Sequence, residues 1–289
     1  MESRAVVVVH GIGDGTGADR SEFSSALRNN VLKEFSPNAS LVWEEANWEV
    51  LNDAIDLVAS RVIKDNCDRY INEVVAELEK QEADENRWGK CWLLKVLGSC
   101  LSKVGGGALS FQLKTLEFIR KYAPGIVDAA IDLPLYMQQP RGDEIRAVVR
   151  DAISKATLRA DKVILVGHSL GSVVAFDVAV EELSGCQQSR LAALVTMGSP
   201  LEWVTDIRRK GANSHECMTR IEPIPWINFW DPEDPVPERK ALDEKVFPDV
   251  CNREVKSGKK LISAHCAYWN DVSIAKTISI LIKEKSNED

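Results

Sequence analysis

The segment from residue 162 to residue 183 restricts the possible folds of this chain more than any other. Residues 162–166 form a short apolar run, residues 167–171 read Gly-His-Ser-Leu-Gly, and residues 172–183 have the composition of a helix. A Gly-x-Ser-x-Gly motif between a strand and a helix is typical of a sharp turn that holds its serine in strained backbone geometry. Gly167 and Gly171 are needed because a Cβ at either place would collide with the neighbouring strand or helix. Ser169 is therefore expected to hold its hydroxyl clear of the sheet.

Five other short β-rich runs accompany this one, and helical patterns separate most of the six. This alternation predicts βαβ units and an α/β fold, with a mainly parallel sheet of about six strands flanked by helices. Residues 144–158 alone would suffice as the crossover helix into the third run. The six runs are residues 5–9, 40–45, 162–166, 192–197, 226–230 and 250–255.

Residues 50–140 exceed what a minimal crossover connection needs. They contain four stretches with helical periodicity, and no linker rich in proline and serine flanks them. We expect them to form a helical cap inserted within a single domain that spans residues 1–289. An aromatic and aliphatic stripe that includes Trp88 and Trp92 could contact lipid or an acyl chain, although such stripes more often pack a cap onto its body.

Composition and charge restrict the classes of partner that we expect for the protein. The net charge of -8 argues against nucleic acid or an anionic membrane as the main partner. The chain contains no uninterrupted apolar stretch long enough to span a bilayer, and its N-terminus lacks the apolar core of a signal peptide. Seven cysteines without C-x-x-C spacing predict reduced thiols in the cytoplasm and no zinc site. We expect no metal and no cofactor, and the oligomeric state stays open.

A serine hydroxyl is a poor nucleophile unless a neighbouring base accepts its proton, so Ser169 requires a histidine. His168 lies inside the turn, where its ring cannot easily reach back to the hydroxyl, and His10 belongs to an N-terminal glycine loop. In hydrolases with this strand-turn-helix unit, the chain order is serine, acid, histidine. His265 follows a convincing acid, whereas His215 does not. His265 is therefore the predicted base, in a loop just before a closing helix.

The acid is expected just past the carboxyl end of the second strand after the one that carries Ser169. There, residues 226–237 include three prolines that stiffen the loop, which suits a carboxylate that must fix the tautomer of a histidine. Asp231 and Asp234 are both plausible, and residue order does not separate them. We favour Asp234 as the catalytic acid, with Asp231 as the alternative acid or as a turn or capping residue of the loop.

An oxyanion hole normally pairs the N–H group after the nucleophile with one from an earlier strand-to-helix loop. The first donor would be Leu170, which opens the helix. The second would be Gly11 or Ile12, at the end of the first strand. The side chain of His10 more plausibly anchors this loop than performs acid-base chemistry.

The same glycine loop supports a rival interpretation. Gly13-x-Gly15-x-x-Ala18 loosely matches a dinucleotide-binding fingerprint, with Glu44 or Glu45 as a ribose partner. This pattern is weak by itself. It also leaves the Ser169 turn and the Asp-Pro loop unexplained, so nucleotide binding is the less favoured hypothesis.

Several segments of the chain resemble the α/β-hydrolase superfamily of lipase-like serine esterases. The Gly-His-Ser-Leu-Gly turn, residues 197–200 (Met-Gly-Ser-Pro), residues 234–237 (Asp-Pro-Val-Pro) and His265 followed by Tyr268-Trp269 resemble fungal-type (class 3) triacylglycerol lipases. Residues 10–13 (His-Gly-Ile-Gly) resemble intracellular serine esterases related to the GPI inositol-deacylases. The resemblance covers residues 5–47 and 144 to the end, and it implies an α/β-hydrolase fold with Asp234 as the acid of the catalytic triad. The cap matches no family pattern.

These observations predict an enzyme that hydrolyses carboxylic esters through an acyl-serine intermediate. Its substrate would be a small-molecule or lipid ester, and the cap could contact lipid peripherally. A thioester, amide or phospholipid acyl substrate is an alternative, because the same triad serves all of these bonds. An alternative of another class is a protein-interaction module that keeps the fold without turnover.

Overall fold

The computed structural model describes residues 3–11, 20–35, 40–48, 136, 140–185, 189–211, 221, 224–234, 236–260 and 262–284. The predicted cap, residues 50–140, lies outside the described residues except for its last position and Tyr136. The glycine pattern at residues 13–18 and the predicted oxyanion donor Ile12 also lie outside them.

The described residues contain a six-stranded sheet whose neighbouring strands are all parallel, which confirms the predicted α/β class. The spatial order is β2-β1-β3-β4-β5-β6. The strands are β1 (Arg4–Val9), β2 (Trp43–Ala46), β3 (Lys162–His168), β4 (Leu191–Met197), β5 (Trp226–Trp230) and β6 (Val250–Glu254).

Helices cover both faces of the sheet. They are α1 (Arg20–Phe35), α2 (Arg141–Thr157), α3 (Leu170–Gly185), α4 (Leu201–Gly211), α5 (Ile262–His265), a 3₁₀ turn (Ala267–Asn270) and α6 (Val272–Lys283). Among the helices of the described ranges, none combines the length and the apolar character that a membrane crossing requires.

Two apolar layers hold these helices to the sheet. Alternate residues of β1 point to opposite faces, so that Val7 packs in the layer of α2 and α3 while Val6 packs in the layer of α1 and α6. Strands β3 and β4 are buried almost throughout, which explains why both read as continuous apolar runs rather than alternating ones.

The strand order places a crevice at a defined point of the sheet. The chain runs from β1 outward to β2, then returns past β1 to β3 and continues in the opposite direction to β6. The loops that follow β1 and β3 therefore diverge at the carboxyl ends of these two adjacent strands. In open parallel sheets, ligands bind at such a switch point.

Three local predictions differ from the structure. Strand β2 begins at Trp43 rather than at residue 40, and β3 continues to His168, so that Ser169 alone separates the strand from α3. His265 ends the one-turn helix α5 instead of lying in a loop. Each difference lies at an element boundary, where hydrogen bonding to distant residues outweighs local preference.

Candidate active site

Ser169 lies at the switch point, in a backbone conformation that few residues with a side chain adopt. Its φ is 55°, in the left-handed region. Two neighbours hold this conformation: the N–H group of Ser169 donates to the carbonyl of Met197 at 3.0 Å, and the N–H group of Ser172 donates to the carbonyl of Ser169 at 2.9 Å. The Ser172 hydroxyl hydrogen-bonds the same carbonyl and the hydroxyl of Ser199. In the sequence, Ser199 stands out only through the lipase resemblance, and Ser172 was not identified.

The glycines on either side of Ser169 are required by close packing, as predicted. A Cβ on Gly167 would lie 2.6 Å from the Cα of Ser172. A Cβ on Gly171 would collide with the carbonyl groups of Val9 and His10. The start of α3 is thereby held against the end of β1, and the N–H group of Leu170 opens α3, where partial positive charge is greatest.

The loop after β1 contacts the side chain of Ser169 directly. A Cβ on Gly11 would lie 2.6 Å from the Cβ and 3.2 Å from the Oγ of Ser169, so only glycine fits. The ring of His10 stacks on Trp269, with 4.9 Å between ring centroids. The backbone carbonyl of His10 accepts a hydrogen bond from the indole N–H of Trp48 at 3.2 Å. These contacts agree with the expectation that His10 anchors the loop.

Asp234 and His265 form a buried pair. Oδ2 of Asp234 lies 2.9 Å from Nδ1 of His265, and both side chains are shielded from solvent. The other carboxyl oxygen, Oδ1, accepts a hydrogen bond from the N–H group of Val236 at 2.9 Å. Because an ionised carboxylate only accepts hydrogen bonds, Nδ1 of His265 carries the proton and Nε2 is left as the basic nitrogen.

Asp231 has a different role in the same loop. Its two carboxyl oxygens accept hydrogen bonds from the backbone N–H groups of Glu233, at 2.8 Å, and Ser257, at 2.9 Å. Asp231 therefore holds the loop after β5 against the segment after β6. The structure brings Asp234 to His265 and gives Asp231 the loop-holding contacts.

Tyr268 links both aspartates. Its hydroxyl donates to Oδ2 of Asp234 at 2.8 Å and accepts a hydrogen bond from the N–H group of Asp231 at 2.9 Å. Burial and the charge of Asp234 raise the pKa of the Tyr268 hydroxyl far above its usual value, so it stays protonated as a donor. In the sequence, Tyr268 stands out only through the lipase resemblance.

Gly198 joins the pair to the serine turn. It follows Met197, the residue that accepts the N–H of Ser169, and its φ is +54°. A Cβ there would lie 2.9 Å from Oδ2 of Asp234 and 3.0 Å from Cε1 of His265. The imidazole of His265 thus lies beside the backbone that supports Ser169.

Nε2 of His265 is buried and has no hydrogen-bond partner among the residues that the structure describes. The hydroxyl of Ser169 therefore does not hydrogen-bond it in this resting arrangement. Contacts of this kind are often long without substrate and tighten when substrate binds. An unpartnered buried ring nitrogen is costly to maintain, and it is the atom that a general base would use.

His168 is the functional candidate that sequence reasoning set aside. Its ring lies 4.5 Å from that of His265, centroid to centroid, and 5.0 Å from that of Trp269. Burial, together with the nearby His265 and His10, lowers the pKa of His168 well below its usual value. Local reasoning asked only whether this ring could reach the adjacent hydroxyl and missed its contact with a distant residue.

Within the described ranges, no group of three or more His, Cys, Asp and Glu side chains is arranged to hold a metal ion. Comparison of the chain with protein-family models and with curated proteins gives no match.

Proposed function

We propose that the protein is a serine hydrolase of the α/β-hydrolase fold that cleaves carboxylic esters through an acyl-serine intermediate. One observation carries this proposal. A buried carboxylate contacts a histidine whose Nε2 has no hydrogen-bond partner among the described residues. This histidine lies against Gly198, which follows the residue that supports a serine in a strained turn at the switch point of a parallel sheet. The large majority of buried side-chain polar atoms in native proteins have a hydrogen-bond partner, so this free nitrogen calls for a functional explanation.

In the proposed reaction, Oγ of Ser169 attacks the ester carbonyl while Nε2 of His265 takes the hydroxyl proton. His265 then gives this proton to the departing alkoxide, which leaves as the alcohol. Water enters, loses a proton to Nε2 and attacks the acyl-serine, and His265 returns the proton to Oγ as the acid is released. Asp234 stabilises the imidazolium that forms in each half-reaction.

The proposed oxyanion hole consists of the N–H groups of Leu170 and of Gly11 or Ile12. Its support is that Leu170 opens a helix and that the loop of Gly11 touches Ser169. Donors of this type each lower the barrier by about 3 kcal/mol. Among the bonds that this triad could cleave, the ester is proposed because the segments around Ser169, Asp234 and His265 resemble those of lipase-like serine esterases.

Labelling with a fluorophosphonate probe tests the proposal. The wild-type protein should become covalently labelled, and Ser169→Ala should not. Ser154→Ala is the matched control, because Ser154 lies exposed on α2 and its hydroxyl contacts only helix and surface groups. It should label like the wild type.

A folded wild-type protein that resists the probe would refute the proposed function and favour a binding module on the same fold. If labelling occurs, turnover of short p-nitrophenyl esters, long-chain esters, thioesters and amides defines the bond. Ester turnover at the wild-type rate by Ser169→Ala would also refute the assignment.

A further inference from the structure

His168 makes a hydrogen bond that takes no part in the proton transfers of the proposed reaction. It is the last residue of β3 and is buried, with its Nε2 at 2.8 Å from the backbone carbonyl of His265. A carbonyl oxygen only accepts hydrogen bonds, so Nε2 of His168 carries the proton and donates it. The residue next to the nucleophile is thereby tied to the backbone of the proposed base.

This hydrogen bond lies at the C-terminal end of α5, where the backbone has few partners of its own. His265 ends α5, which has a single turn, and the last carbonyls of a helix lack partners within the helix. The carbonyl of His265 is one of these groups. Without the donor from His168, the backbone that carries the imidazole would depend on short local turns, because the 3₁₀ segment begins two residues later.

The surroundings keep the His168 ring neutral. Among the described residues, the titratable groups that contact it are His265 in α5 and Tyr268 in the 3₁₀ turn, and His10 in the loop after β1 exerts a further charge effect. Trp269 covers another side. A neutral neighbour does not repel the positive charge that His265 acquires during acyl transfer, whereas a protonated ring at this distance would oppose it.

We propose that His168 is a positioning residue that holds the proposed catalytic base over the nucleophile through its Nε2–H bond to the carbonyl of His265. This inference rests on the proposed function, since it concerns the geometry of the same site. It does not assign any proton transfer to His168.

Three variants separate the hydrogen bond from simple packing. His168→Gln places an amide N–H at the same number of bonds from the Cα and should keep the donor. His168→Asn is one bond shorter, and His168→Leu retains bulk without a donor. Loss of one hydrogen bond is worth about 1 kcal/mol. His168→Leu and His168→Asn should therefore lower kcat roughly five- to tenfold with little change in KM, while His168→Gln stays within about threefold of the wild type.

A second readout does not depend on turnover. The Nδ1 proton that His265 shares with Asp234 should give a strongly downfield-shifted NMR signal in the resting protein. His168→Gln should retain it, and His168→Asn should broaden or lose it. The comparison of Asn with Gln remains decisive if His168→Leu does not fold.

Equal kcat values and equal NMR signals for the Asn and Gln variants would overturn the positioning role. Failure of the wild-type protein to react with the fluorophosphonate probe would instead refute the proposed function, and the NMR comparison would still test the contact. The two failures are thus distinguishable.

Discussion

The variant Tyr268→Phe removes a single hydroxyl and tests how Asp234, the proposed acid, is held in place. The ring of Tyr268 is buried, so phenylalanine can occupy the same space without a new contact. What disappears is one donor to Asp234 and one acceptor for the N–H group of Asp231. Both groups are buried, so solvent cannot readily replace the lost partner.

The magnitude follows from these two hydrogen bonds. A hydrogen bond to a charged group contributes about 1.5–3 kcal/mol, and a buried N–H left without an acceptor costs about 1–3 kcal/mol. Asp234 retains Val236 and His265 as partners, which reduces the first loss. We expect the free energy of unfolding to fall by about 2–4 kcal/mol. We also expect kcat to fall about tenfold, because Oδ2 of Asp234 is the oxygen that orients His265.

Tyr136→Phe is the matched control. Tyr136 is equally buried, and its hydroxyl donates to Asp177 and accepts from Arg146, away from Ser169. Urea unfolding and ester turnover should be measured for both variants. Both should lose stability, and only Tyr268→Phe should lose kcat. Unchanged stability of Tyr268→Phe, or an equal loss of kcat in the control, would refute this reasoning.

Four further predictions concern the same site. Gly11→Ala should reduce fluorophosphonate labelling roughly 10²-fold, because its Cβ would displace the loop against Ser169 and move a proposed oxyanion donor; labelling at the wild-type rate would contradict this role of the loop. Asp234→Asn should lower kcat roughly 10⁴-fold by favouring the wrong tautomer of His265, the proposed base. Asp231→Asn should mainly lower stability by about 1–3 kcal/mol, since an amide cannot accept both N–H groups; equal kcat for the two aspartate variants would argue against separate roles. The folded pKa of His168 lies below its unfolded value, so the unfolded state binds more protons, and stability should fall as the pH drops below about 6.5, by at most about 1.4 kcal/mol per pH unit. His168→Gln should flatten this part of a urea-unfolding series, and an unchanged slope would count against the assignment.

Much of the sheet could be predicted because its signals are local. An apolar run such as residues 162–166 and its flanking helix pattern identify a βαβ unit without knowledge of distant residues. The boundaries were less predictable: β3 extends to His168 because pairing with β4 continues there, and pairing with another strand is invisible in a local window. The position of each strand in the order of the sheet could not be predicted from the local pattern either.

The candidate site also contains features that could be predicted locally and features that could not. The glycines around Ser169 follow from steric rules that act over a few residues, and a search restricted to four histidines leads to His265. The choice between Asp231 and Asp234 stayed open on the residues alone, because two aspartates three positions apart in one loop differ in direction and not in chemistry. The lipase resemblance and the geometry both favour Asp234.

The sequence by itself determined that this chain forms a parallel α/β sheet with a strained serine turn, since the repulsion between neighbouring atoms and the burial of apolar runs depend on residues close in the chain. Only the tertiary structure decided that His168 contacts His265, 97 residues away, and that Tyr268 joins two aspartates. Such contacts depend on which strands lie side by side and on where each loop ends. Both follow from the packing of the whole sheet rather than from any single segment.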